Sequence, residues 1–106
     1  MSNPKYEVII SRGAERMLLK HSEFLSQVNP AAARRLVNKL KKVKSNLSDS
    51  PYQFPYADEL DVPGIQPEIY RKCIFEKRYK ALFLIEENNV YIDAIIDCRQ
   101  ENTNLF

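Results

Sequence analysis

Three cations mark the ends of the apolar segments in the C-terminal half of this chain: Arg71, Lys80 and Arg99. Two guanidinium groups can fork onto phosphate oxygens while an ammonium adds a point charge, so these residue types together suit an oxyanion such as a phosphodiester. Cleaving that bond without a metal also requires a base for the attacking hydroxyl and an acid for the leaving oxygen. Glu86, Tyr91, Asp93 and Asp97 are the candidate bases in the same stretch, and a carboxylate among them needs burial or a like-charged neighbour to reach a useful pKa. His21 is the sole histidine. It falls amid apolar residues at helical spacing, where a packed structural imidazole is expected. Cys73 and Cys98 are the two cysteines, read as small reduced thiols within strands, and neither a metal nor a cofactor is expected.

The chain that must position these groups has 106 residues, 44% of them hydrophobic and 28% charged, the composition of one soluble globular domain spanning residues 1–106. The first ten residues, MSNPKYEVII, are too polar for a signal peptide and too short for a membrane span, so a cytoplasmic protein is expected. The net charge of +2 conceals segregation. Between Pro30 and Leu47 lie six cations (Arg34, Arg35, Lys39, Lys41, Lys42, Lys44) and no carboxylate; between Ser48 and Pro67 lie four carboxylates (Asp49, Asp58, Glu59, Asp61) and no cation. Patches of this kind, and not the total, are what a charged partner feels.

Periodicity then assigns elements. Lys5 to Ile10 alternates as a short strand, and Ser11 after it is a suitable N-cap. From Arg12 to about Val28, Ala14, Met17, Leu18, His21 and Leu25 share one helical stripe with Phe24 at its edge. Asn29-Pro30 pairs a favoured N-cap with a favoured first helical residue, so a second helix follows at once. Its apolar face holds Ala33, Leu36, Val37, Leu40, Val43 and Leu47, and Arg34, Asn38, Lys41 and Lys42 lie opposite. Arg34, Lys41 and Lys42 could therefore lie along a nucleic-acid backbone. Ser48 to Pro67, rich in proline with three aromatics, reads as a long connection partly packed down.

Ile69 to Phe75, Tyr79 to Glu86 and Val90 to Asp97 are the remaining strands. A turn at Asn88-Asn89 would set Ile85 against Ile92, Phe83 against Ala94, Ala81 against Ile96 and Lys80 against Asp97. The expected fold is α+β: a strand, a two-helix hairpin and a three-stranded antiparallel meander, with the helices on one face of a small twisted sheet. The other face is left open, half apolar and half charged. Alternation places Lys80 and Arg99 on that face, and a tight hairpin between the first two meander strands would bring Arg71 there too.

Three stretches, YEVIIS from Tyr6 to Ser11, AARR from Ala32 to Arg35, and IYRKCIFEKRYKALFLIEENNVYIDAIIDCRQ from Ile69 to Gln100, give the chain an order of elements that resembles the RelE/ParE superfamily of bacterial type II toxins. The Tyr-Arg and Tyr-Lys pairs entering two strands and the Arg after the last carry the likeness. The resemblance implies a toxin neutralised by a cognate antitoxin, alone as a homodimer or with the antitoxin as a heterotetramer. It implies one of two activities: ribosome-dependent cleavage of messenger RNA, which would make the chain a metal-independent endoribonuclease partnered by ribosome and mRNA, or inhibition of DNA gyrase without nuclease chemistry. A third outcome is an attenuated member without toxicity. For the nuclease, Arg71, Lys80 and Arg99 would hold phosphate. Where nuclease members carry a histidine or tyrosine after the last strand, this chain ends in Phe106, which can stack on a base but cannot move a proton.

Overall fold

The computed structural model describes residues 5–98. Strand β1 (Glu7–Ile10) leads into helix α1 (Arg12–Val28), with Ser11 Oγ accepting from the Ala14 amide at 3.0 Å. Helix α2 (Pro30–Asp49) begins after a single residue. Asn29 serves both helices: its amide donates to the Leu25 carbonyl at 2.6 Å, and its Oδ1 accepts from Ala31 and Ala32. A 3-10 turn at Pro51–Gln53 follows, and β2 (Arg71–Phe75), β3 (Tyr79–Glu86) and β4 (Asn89–Asp97) complete one sheet in the order β1-β4-β3-β2. The meander is antiparallel and β1 runs parallel to β4. This is the α+β arrangement expected from sequence, with β1 joining the meander as a fourth strand. No helix among the described residues is long and apolar enough to cross a membrane.

One face of the sheet is sealed by the helices. Leu36, Leu40, Val43 and Leu47 from α2 meet Cys73, Phe75, Tyr79, Phe83, Val90, Ile92 and Ile95 from the strands in the main core. From α1, Ala14 and Leu25 are buried and Leu18 packs against them, whereas Met17 and Phe24, expected on the same stripe or at its edge, remain 40% and 56% exposed. Helix α1 also closes the edge of β4 that the short β1 leaves bare. The Ser11 amide donates to the Ile92 carbonyl at 2.9 Å, and His21 Nε2 donates to the Ile95 carbonyl at 2.9 Å.

The turn and the register of the meander differ from expectation. The β3–β4 turn is Glu87-Asn88 and not Asn88-Asn89, because Glu86 pairs with Asn89 and Ile85 with Val90. Farther along, the register shifts between Leu82 and Phe83: Phe83 faces Ile92 but Leu82 faces Ala94, which leaves Asp93 as the extra residue of a bulge. The bulge lets Val90, Ile92 and Ile95 all turn toward the helices, which strict alternation forbids. Lys80 consequently faces Ile96, and Tyr79 faces Asp97, so the expected Lys80–Asp97 pair does not form.

The second face is not open. Ala57 and Val62 from the long connection pack on Leu82, joined by Ile65, Tyr70, Ala94 and Ile96. The same connection covers part of the outer edge of β2, through Lys72 N–H to Pro55 O at 2.9 Å and Ala57 N–H to Tyr70 O at 2.8 Å.

Candidate functional site

The cations of the meander fall into three separate environments. On the face away from the helices, Lys72 and Lys80 converge on one carboxylate of the long connection: Lys80 Nζ lies 2.7 Å from Asp61 Oδ1 and Lys72 Nζ 2.8 Å from Asp61 Oδ2. Burial alone would push the Asp61 carboxyl upward, but donation from both ammonium groups holds it well below the usual carboxylate range. Sequence reasoning missed Asp61 and Lys72 as partners. The signal was there in an acidic loop flanked by basic strands, but pairing needs a fold.

Arg71 sits on the opposite face. It pairs in register with Phe83, a core residue under the helices, and its guanidinium is fixed by the connection that passes over it. Nη1 donates to the Phe54 carbonyl at 2.6 Å and to the Tyr52 carbonyl at 3.4 Å, while the guanidinium carbon lies 4.2 Å from the Tyr56 ring centre and 5.2 Å from that of Tyr52. The structure therefore does not bring Arg71 and Lys80 together. The reason is the β2–β3 register, which places Lys72, and not Arg71, on the face of Lys80. Arg99 and Phe106 lie outside the described residues.

At the turn end of the sheet, Arg78, which sequence reasoning did not single out, donates to Asp97 Oδ2 from Nε at 3.1 Å and from Nη2 at 2.8 Å. The Asp97 side chain is 2% exposed. This pair raises the Arg78 guanidinium pKa further and removes Asp97 from the solvent-facing bases. Of the other candidate bases, Asp93 accepts from the Tyr70 hydroxyl at 2.7 Å, and that bond, helped by burial, pushes the Tyr70 phenol up to about 12. Tyr91 is half-buried and Glu86 exposed. His21 is the structural imidazole expected, bonded to a strand carbonyl with its ring centre 5.2 Å from that of Tyr79.

On α2, Arg34, Lys41 and Lys42 are all exposed, as the helical period requires of positions opposite the buried stripe. They form a basic outer surface on a helix whose other side is locked into the core. Neighbouring Arg35 reaches toward Glu76, with 3.8 Å between Nε and Oε2.

A two-helix hairpin on a four-stranded mixed sheet, with cations on strands and outer helix, defines the class of small α+β toxins that the sequence resembles. The model of one family in that class, the ParE toxin of the type II toxin-antitoxin system parDE, matches residues 8–102, and the chain belongs to that family. Membership implies a cognate antitoxin as partner. A solved structure described as the chromosomal ParDE toxin-antitoxin system from P. aeruginosa shares the fold with a TM-score of 0.69, at 16% identity, covering 90% of this chain and 98% of that one. No curated protein matches the chain.

Proposed function

We infer that this protein arrests growth as a ParE-type toxin, binding DNA gyrase without cutting RNA, and is released from that role by its cognate antitoxin. The observation that carries this reading is the separation of the strand cations. A metal-independent nuclease needs its phosphate-holding groups convergent on one scissile bond. Here Arg71 is tied to loop carbonyls under the helix face and Lys80 to Asp61 on the other. The candidate carboxylates Asp93 and Asp97 are likewise held by Tyr70 and Arg78. Arg34, Lys41 and Lys42, three of the exposed cations among the described residues, lie along a helix, a form suited to an extended anionic surface and not to acid-base chemistry.

The test is induction of the protein alone in a bacterium, with three readouts. We expect growth arrest, induction of a DNA-damage reporter and altered plasmid supercoiling, with no new 5′ ends in primer extension of abundant transcripts. Discrete transcript ends within codons, without a damage response, would instead establish the endoribonuclease activity, with mRNA and the ribosome as targets. Absence of any growth effect would identify an attenuated member.

A further inference from the structure

We propose that Tyr6, Tyr52, Arg71 and Tyr56 form a stacking row for the unpaired bases of single-stranded nucleic acid. Three stretches far apart in sequence build it: the residue before β1, the 3-10 turn with the segment just after it that bridges to β2 through the Tyr56–Arg71 pair, and the first residue of β2. Tyr6 and Tyr52 meet edge to face with ring centres 6.2 Å apart, and the Arg71 guanidinium then lies between Tyr52 and Tyr56 at 5.2 and 4.2 Å. Despite these contacts Tyr52 is 59% exposed and Tyr56 43% exposed. The Arg71 guanidinium lies over the Tyr52 and Tyr56 rings, and the surface these two leave to solvent is where a flat ligand would stack, while Tyr6, half-buried against the core, borders the row. The bonds from Arg71 to two backbone carbonyls fix the plane before any ligand arrives, which lowers the ordering cost of binding.

Fixed aromatic rings alternating with an arginine plane suit unpaired bases, because every base has a π-face and none is specified. Duplex DNA hides those faces. At the Tyr6 end the row continues into a cleft of about 540 Å³ lined by Lys5, Lys44, Ser45, Ser48 and Asn88. Its cations and the Ser45 hydroxyl can follow a sugar-phosphate backbone, the Ser48 hydroxyl being donated to the Tyr6 carbonyl at 2.7 Å, and Glu7 is the one carboxylate among the residues that line it. This proposal does not depend on the gyrase reading, since a stacking row serves an opened DNA segment or an RNA equally.

The chain contains no tryptophan and six tyrosines, so tyrosine emission reports stacking directly. The purified full chain is titrated with fluorescein-labelled oligothymidylate, oligouridylate and a mixed-sequence duplex of equal length, following anisotropy and, with unlabelled strands, tyrosine emission. We expect at least one single-stranded probe to bind about tenfold or more tighter than the duplex, with quenching of tyrosine emission. Tyr52→Ala and Tyr56→Ala each weaken binding about tenfold. The double variant Tyr52→Phe, Tyr56→Phe retains affinity, because the ring and not the hydroxyl stacks, but loses most of the quench. A preference between the two single strands, which differ in the sugar and in the C5 methyl of the base, supports the proposal. The proposal is overturned by no binding of either single-stranded probe, by duplex binding as tight as theirs, or by an undiminished quench in the double phenylalanine variant, which folds whether or not the alanine variants do.

Discussion

Asp61 shows how one side chain decides which surface a protein presents. It arrives from a loop, receives two ammonium groups, and changes Lys72 and Lys80 from solvent-facing cations into a half-buried cluster. Removing its charge while keeping its shape leaves two ammonium groups without a carboxylate. Asp61→Asn should cost about 2 kcal/mol or more, read as a lower denaturant midpoint with little change in slope. The pH dependence has a definite sign. The carboxyl is held below its ordinary value of 3.8 in the folded chain, so its contribution is fully present above the ordinary carboxylate range and is lost as pH falls below it. The wild type should therefore lose stability on acidification below about pH 4 more steeply than Asp61→Asn, measured by melting temperature across an acid series. Arg71 is the complementary case. Its residue type pointed to phosphate, but its register delivered it to two tyrosines and two carbonyls.

Among the elements, the two helices were legible almost to the residue. Ser11, Asn29 and Pro30 act through local hydrogen bonds and a fixed φ, and these do not depend on the rest of the fold. Asn29→Ala removes a cap that serves α2 and should lower stability by about 1 kcal/mol. The strands were legible as strands but not in register. A β-bulge at Asp93 is a compromise between two buried faces, and a local pattern that assumes one buried face cannot contain it. The β2–β3 turn places Glu76 and Lys77 at φ of 55° and 58°, a conformation that glycine and asparagine tolerate far better. Lys77→Gly should raise stability by about 1 kcal/mol, seen as a higher denaturant midpoint. The Arg35–Glu76 contact, which reaches this turn from α2 at 3.8 Å, adds little to this balance.

For the whole molecule, the segregated charges of the sequence resolve into two different structural uses. The acidic connection folds back on the basic sheet and cancels part of it through Asp61. The basic face of α2 has no such cover at Arg34, Lys41 and Lys42. Replacing these three by glutamine should leave the melting temperature within a few degrees, because exposed charges contribute little to stability. Toxicity on induction should be lost or strongly reduced, and retention of full growth arrest would remove α2 from the target surface.

The sequence by itself determined the element order, the helix limits, most of the inward face of each helix (Met17 and Val37 are exposed) and the toxin class. These follow from periodicity, caps and the joint order of short motifs, all of which act over a few residues or along the chain. Only the tertiary structure decided which cations share a face, because a side chain's face depends on register, and register is set by both buried faces of the sheet at once. It also decided where the long connection, expected to be partly packed down, settles: on Leu82 and along the outer edge of β2. The contacts of Asp61 and Tyr52 with the strand cations join positions 11 to 19 residues apart, a separation at which spacing along the chain no longer carries geometry.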